Sequence, residues 1–172
     1  MLVEPGAAIT GAGQAMYATY NVTAGAVVNQ GTISGTSVGI FVASASVGDG
    51  ITNSGLISGH WGGIRGLNHA TITGGIVNTN SGTIKGMIAG STTIQAYGIN
   101  LDLSTINGSI TNSGLISATA TISGGTSAYA GTANAMGLAN ATVNGSIINS
   151  GTIVSSVIDL GSSNFGASLN PL

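Results

Sequence analysis

One hexapeptide recurs five times along the chain, as Asn29-Gln-Gly-Thr-Ile-Ser34, Asn53-Ser-Gly-Leu-Ile-Ser58, Asn80-Ser-Gly-Thr-Ile-Lys85, Asn112-Ser-Gly-Leu-Ile-Ser117 and Asn149-Ser-Gly-Thr-Ile-Val154. Recurrence at a spacing of about 20–50 residues marks an architecture of stacked copies of one unit. The aliphatic member of the hexapeptide forms a row, Ile33, Ile57, Ile84, Ile116 and Ile153, and Ile9 in Ala8-Ile9-Thr10-Gly11 extends it backwards.

Three further rows keep the same order. Val27, Ile51, Ile76, Ile110 and Ile147 precede the first row, with Val3 placed six residues before Ile9 as Val27 is before Ile33. Val22, Val47, Ile72, Ile106 and Val143 lie earlier still, and Ala18, Ile40, Ile64, Ile99 and Leu138 follow the isoleucines. Apolar residues alternate with polar ones over short runs, which is strand periodicity with β-branched residues on one face. Asn-Ser-Gly and Asn-Gly-Ser read as turns, because Asn and Gly enter the left-handed backbone region cheaply. No segment carries a sustained helical stripe. Each copy reads as three short strands separated by corners.

Such a unit cannot bury its apolar residues alone, but a parallel stack buries them in one column, with strands about 4.8 Å apart. Like residues then lie over like, and Asn29, Asn53, Asn80, Asn112 and Asn149 are expected to form a corner ladder of amides. Crossovers between parallel strands are right-handed. The fold expected is all-β: a right-handed parallel β-helix, or β-solenoid, of about six coils, with residues 1–172 as one domain. Along Val3, Val27, Ile51, Ile76, Ile110 and Ile147 the coils take 24, 24, 25, 34 and 37 residues. The growth falls between the isoleucine row and the row after it. That gap is 9 residues in coil one, 7 in coils two and three, 15 in coil four and 22 in coil five. Lateral insertions are therefore expected in coils four and five. Coil three adds two residues at its corner, Asn78-Thr79, and the first corner reads Glu4-Pro5-Gly6 where Asn-Ser-Gly is expected.

Asn-Ser-Gly-Thr-Ile, together with the Gly-Ser-Ile-x-Asn-Ser-Gly runs at 108–114 and 145–151, resembles the repeats of autotransporter passenger domains and related large bacterial surface adhesins. The resemblance covers nearly the whole chain. It implies a right-handed β-helix exported across bacterial membranes and displayed outside the cell, and it carries no functional residue over. The sequence differs from that family in its near lack of charge, and the opening Met1–Gly6 does not read as a signal peptide.

Charge narrows the function classes. Only Glu4, Asp49, Arg65, Lys85, Asp102 and Asp159 are charged, 3% of the chain against about 25% in an average soluble domain. Two cations cannot neutralise a phosphate backbone, so nucleic acid is not an expected partner. With no cysteine, disulfides and cysteine metal sites are ruled out. Mean hydropathy is +0.47, yet no run of about 18 apolar residues exists and seven scattered aromatics make no girdle, so membrane insertion is not expected.

Candidate chemistry is sparse. Polysaccharide cleavage on a β-helix needs clustered carboxylates, or a carboxylate beside Arg or Lys. The four acids are dispersed, and Arg65 and Lys85 could approach each other on adjacent coils only as like charges. His60 and His69 flank one strand without a third ligand. No phosphate-loop motif and no calcium nonapeptide is present. Asn21, Asn107, Asn140 and Asn144 fit the glycosylation sequon at about the chance rate for so much Asn, Ser and Thr. Trp61 could stack on a sugar or meet a neighbouring subunit. The chain is thus expected to have no catalytic, cofactor or metal site and not to be an enzyme.

The leading reading is a structural subunit of an extracellular bacterial filament or matrix. It would polymerise head to tail as a homopolymer, on the grounds of low charge, six whole coils and missing caps. The alternative is a fragment of a cell-surface adhesin that binds a glycan or host surface through the coil-four and coil-five insertions. Ice binding ranks last, because Thr32, Thr83 and Thr152 alternate with Leu56 and Leu115.

Overall fold

A computed structural model describes residues 1–90, 95–122, 132–155, 157–159 and 164–165. Those residues form a right-handed parallel β-helix. The first coil supplies β1 (Leu2–Val3), β2 (Ala8–Gly11), β3 (Gln14–Thr19) and β4 (Thr23–Ala24). The second supplies β5 (Val27–Asn29), β6 (Thr32–Gly35), β7 (Val38–Ala43) and β8 (Ser46–Val47), and the third β9 (Ile51–Asn53), β10 (Leu56–Gly59), β11 (Gly62–Leu67) and β12 (Thr71–Ile72). The fourth has β13 (Ile76–Asn78), β14 (Thr83–Gly90), β15 (Gln95–Asp102) and β16 (Thr105–Ile106), and the fifth β17 (Ile110–Asn112), β18 (Leu115–Ile122), β19 (Thr132–Ala139) and β20 (Thr142–Val143). The sixth has β21 (Ile147–Asn149), β22 (Thr152–Val154), β23 (Val157–Asp159) and β24 (Asn164–Phe165). Equivalent strands stack into four six-stranded parallel sheets.

Four strands per coil replace the three read from the sequence. The extra break has a local cause. Tyr20, Ser44, Asn68, Leu103 and Asn140 stand at the corner before the fourth sheet with φ between 49° and 53°. A left-handed residue in each of the first five coils ends the third strand and detaches a two-residue fourth strand from it.

The isoleucine row is as expected. Ile9, Ile33, Ile57, Ile84, Ile116 and Ile153 pair in unbroken register through the second sheet. The inner four are fully buried, and the two end members are half-buried against the same core. The other rows need correction at their ends. Met16 and Met136, not Ala18 and Leu138, align with Ile40, Ile64 and Ile99; Ala18 and Leu138 align with Val42, Gly66 and Leu101. Both positions face the core, so a two-residue slip preserves the apolar pattern and is invisible in it. With that register Ile9 to Met16 also spans seven residues, and coil one is regular there. Ala24, not the exposed Val22, pairs with Val47. Val3 pairs with Asn29, not Val27.

That last shift comes from the first corner. Ala7 N–H donates to the Glu4 carbonyl at 3.0 Å, and Gly6 has φ 79°. Pro5 and Gly6 therefore occupy the central positions of a type II turn, which adds two residues between β1 and β2. A hydrogen-bonded turn of the same span, without a positive φ, adds two residues between β13 and β14, in the fourth coil and not the third, where Gly82 N–H donates to the Thr79 carbonyl at 2.8 Å.

The second and third sheets approach each other closely. A Cβ on Gly39, Gly63 or Gly98 would stand 2.9, 2.7 or 2.7 Å from the Cγ2 of Ile57, Ile84 or Ile116. Ile57, Ile84 and Ile116 thus each seat on a glycine of the facing sheet, where an added side chain would clash.

The insertions of coils four and five are present as expected. There β14 pairs with β18 along eight residues, well beyond the ends of β10 and β22, and β15 pairs with β19. The extended strands form an arm beside the column, with a small core of Ile88, Ala96 and Ala118 backed by Ala120 and Ala133. Among the described residues there is no helix, and so none long and apolar enough to cross a membrane.

Candidate functional site

The residues singled out for chemistry are largely kept apart. Arg65 lies on the third sheet, in register with Phe41 and Asn100, whereas Lys85 lies on the second, in register with Ser58 and Ser117. The two do not form the adjacent pair envisaged from their spacing. Lys85 instead shares an open cleft of about 330 Å³ with His60, Ser58 and Met87, and no carboxylate lines it. His60 and His69 stand at opposite ends of β11, whose six residues hold them about 17 Å or more apart. Among the described residues no group of three His, Asp or Glu side chains comes together. Asn21, Asn107, Asn140 and Asn144 are exposed, and Asn144 Nδ2 donates to Asn107 Oδ1 at 2.9 Å. The threonine column is interrupted in space as in sequence, running Thr32, Leu56, Thr83, Leu115, Thr152.

One surface feature was missed. Tyr17 stacks on Phe41 with ring centroids 5.4 Å apart, and Arg65 lies in the same column with its guanidinium 5.9 Å from the Trp61 ring. Arg65 is half-buried, and its Nε makes no hydrogen bond among the described residues. Tyr17, Phe41 and Arg65 hold one register position in successive coils, a signal that correct alignment of the third-sheet row would have exposed.

The polar feature that runs the length of the molecule is the asparagine ladder. Asn29 Nδ2 donates to Asn53 Oδ1 at 2.7 Å, Asn53 to Asn78, Asn78 to Asn112 and Asn112 to Asn149, the last three at 2.8 Å. Each amide also reaches main-chain carbonyls at its corner, as Asn78 does to Gly82 and Leu115 at 3.1 Å. The member from the fourth coil is Asn78 and not Asn80. Strand register decides, since Asn78 pairs with Asn53 and Asn112 while Asn80 sits exposed in the added turn. The repeated Ile-x-Asn of β9, β13 and β17 carried that information, and the hexapeptide masked it.

The ladder has two ends. Above Asn29 stands Val3, which has no amide, and Asn29 Oδ1 is buried without a hydrogen bond. Below, Asn149 accepts from Asn112 and donates to the Gly151 carbonyl at 3.2 Å. The strands at these ends, β1–β4 and β21–β24, each pair on one edge only among the described residues.

Comparison with known proteins adds no assignment. No family model matches the chain, and neither curated proteins nor solved structures yield a match. The likeness to surface-adhesin repeats rests on the repeat residues themselves. Its coarser content, a regular parallel β-solenoid, is what the structure shows.

Proposed function

We propose that this chain is a structural subunit of an extracellular bacterial filament or matrix, assembled by head-to-tail stacking of its coils. One observation carries the reading. Among the described residues, Met1, Leu2, Tyr17, Tyr20 and Val22 of the first coil and Ile148 and Val154 of the sixth are large, apolar and exposed, against Trp61, Met87 and Leu103 in all four coils between. Among the described residues, exposed apolar side chains are thus concentrated in the first and sixth coils. Proteins that remain monomeric guard open strand edges with charge, bulges or a covering element. Here Glu4 and Asp159 are the only charges of the two end coils. Pro5, a common edge blocker, lies in a turn rather than on a strand.

Magnitudes are consistent with assembly. A joint would add around a dozen backbone hydrogen bonds at about 1 kcal/mol net apiece, set against about 4–15 kcal/mol of lost freedom. The balance then falls to apolar burial, and Ile9 and Ile153 are the half-buried core residues that a joint would cover. The extracellular setting draws its support from the adhesin-like repeats and the absence of cysteine. Electron microscopy and sedimentation of the purified protein at neutral pH test the reading. Unbranched filaments are expected, and a protein that stays monomeric at high concentration overturns it.

A second reading has one observation in its favour. The exposed Tyr17 and Trp61, with Phe41 and Arg65, make an aromatic strip on the third sheet of the kind that adhesive surfaces use. Monodisperse particles that bind a glycan array, and lose that binding on Trp61→Ala, would support an adhesin instead.

A further inference from the structure

Each coil rests on its predecessor with a fixed register. Leu2, Val3 and Ile9 of the first coil pair with Val28, Asn29 and Ile33 of the second. Following those rows through the stack, Ile148, Asn149 and Ile153 hold the same positions in the sixth. Their outer edges are unpaired among the described residues. We infer that, in the filament proposed above and resting on that reading, Ile148, Asn149 and Ile153 of one copy stand in register with Leu2, Val3 and Ile9 of a second copy, so that the isoleucine column runs through the joint while the asparagine ladder stops at it.

Two features fix the register. A slip of one residue would turn Ile9 or Ile153 away from the column and set it against polar neighbours. Corner lengths give a second constraint. Asn149 lies four residues before Ile153, whereas Val3 lies six before Ile9 because of the Glu4–Ala7 turn. A four-residue corner stacked on a six-residue one already exists inside the subunit. Asn53 to Ile57 spans four and is followed by Asn78 to Ile84, which spans six with its own Thr79–Gly82 turn. The joint therefore repeats the corner lengths of the junction between the third and fourth coils.

One element of that junction is missing. Between the third and fourth coils, Asn53 Nδ2 donates to Asn78 Oδ1 and to the Thr83 carbonyl. At the joint, Asn149 keeps the second kind of acceptor, the Ala8 carbonyl of the next copy, but Val3 offers it no side-chain oxygen. Val3 equally leaves Asn29 Oδ1 without a donor. The ladder is thus broken once per subunit, at the subunit boundary. The filament's weakest plane then coincides with that boundary, and dissociation releases folded subunits.

The chain has no cysteine, so introduced pairs report cleanly. Leu2 and Ile148 are exposed, and four coils lie between them within one copy. At the joint their Cα atoms would lie about 4.8 Å apart, inside the usual disulfide range of about 4.4–6.8 Å. Mild oxidation of assembled Leu2→Cys/Ile148→Cys protein is expected to give a reductant-sensitive ladder of multimers on a denaturing gel. Leu2→Cys/Val154→Cys, which places the thiols in different sheets, is expected to give none. Filaments that cross-link through the second pair, or through neither, overturn the register and leave the filament reading standing. Unmodified protein that forms no filament overturns both. Val3→Asn supplies the missing amide and is expected to lower the monomer concentration in equilibrium with filaments about five-fold, as one added net hydrogen bond implies. An unchanged value overturns the broken ladder.

Discussion

Single positions in this fold are judged by the column they occupy. Ile116 is fully buried between Ile84 and Ile153, whereas its neighbour Ser117 points to the other face of the same strand. Burying a side chain like Ile116 is worth roughly 1.5–3 kcal/mol, and an unpaired carboxylate in its place costs several more. Ile116→Asp is therefore expected to abolish folding and Ser117→Asp to leave it intact, as circular dichroism and solubility would show. Reversal of that order would refute the inward assignment of the row. Leu103 is a different case. It holds the left-handed corner position with φ 49° and is exposed, while Asn68 and Asn140 hold the same position in other coils. Leu pays about 1–2 kcal/mol for that conformation and Asn much less. Leu103→Asn is expected to raise unfolding free energy by about 1 kcal/mol in a denaturant titration. A loss of stability would show that Leu103 makes a contact worth more than the backbone relief. The isoleucine row was legible because one residue type repeats with its neighbours. The left-handed column was not, because Tyr, Ser, Asn and Leu share a backbone conformation there and no side-chain property.

Elements obey the same logic at the next scale. In the second, third and fourth coils the third sheet comes close to the second because Gly39, Gly63 and Gly98 face the isoleucine row. Gly63→Val would drive methyls into Ile84 and the Gly98 carbonyl, and is expected to destabilise by about 1–3 kcal/mol. Gly13→Ala, with nothing within 4 Å of the added carbon, is expected to change stability by less than about 0.5 kcal/mol. Equal midpoints for the two variants in urea would mean that the sheets part freely. Corners were the least legible elements. A two-residue turn between β13 and β14 moved the ladder asparagine from Asn80 to Asn78, and a like turn moved Val3 into the ladder position. Both changes preserve alternation, so periodicity gave no warning. The arm was legible in length but not in form, since a count of inserted residues does not reveal that β14 and β18 continue in register and enclose Ile88, Ala96 and Ala118.

At the scale of the whole molecule, stacking fixes a length. Six coils at about 4.8 Å give one subunit an axial rise near 29 Å, and a joint that continues the coil register adds no gap. The arm occupies two adjacent coils of the six, so a filament would carry one lateral projection per subunit, separated along the axis by four coils without one. A parallel stack is heterologous and non-closing, so growth is linear and all subunits share one polarity. Electron micrographs of filaments are therefore expected to show an axial periodicity of about 29 Å with knobs at that spacing. A much longer repeat would mean that subunits meet through something other than β1–β4 on β21–β24, such as a side-to-side contact of the arms. Removal of the arms distinguishes the two arrangements. Shortening coils four and five to the corner length of coil three deletes the projections but leaves every body strand and both end edges in place. Filaments of that variant are expected to keep the 29 Å rise and lose the knobs. Loss of assembly with the coils still folded would place the subunit contact on the arms.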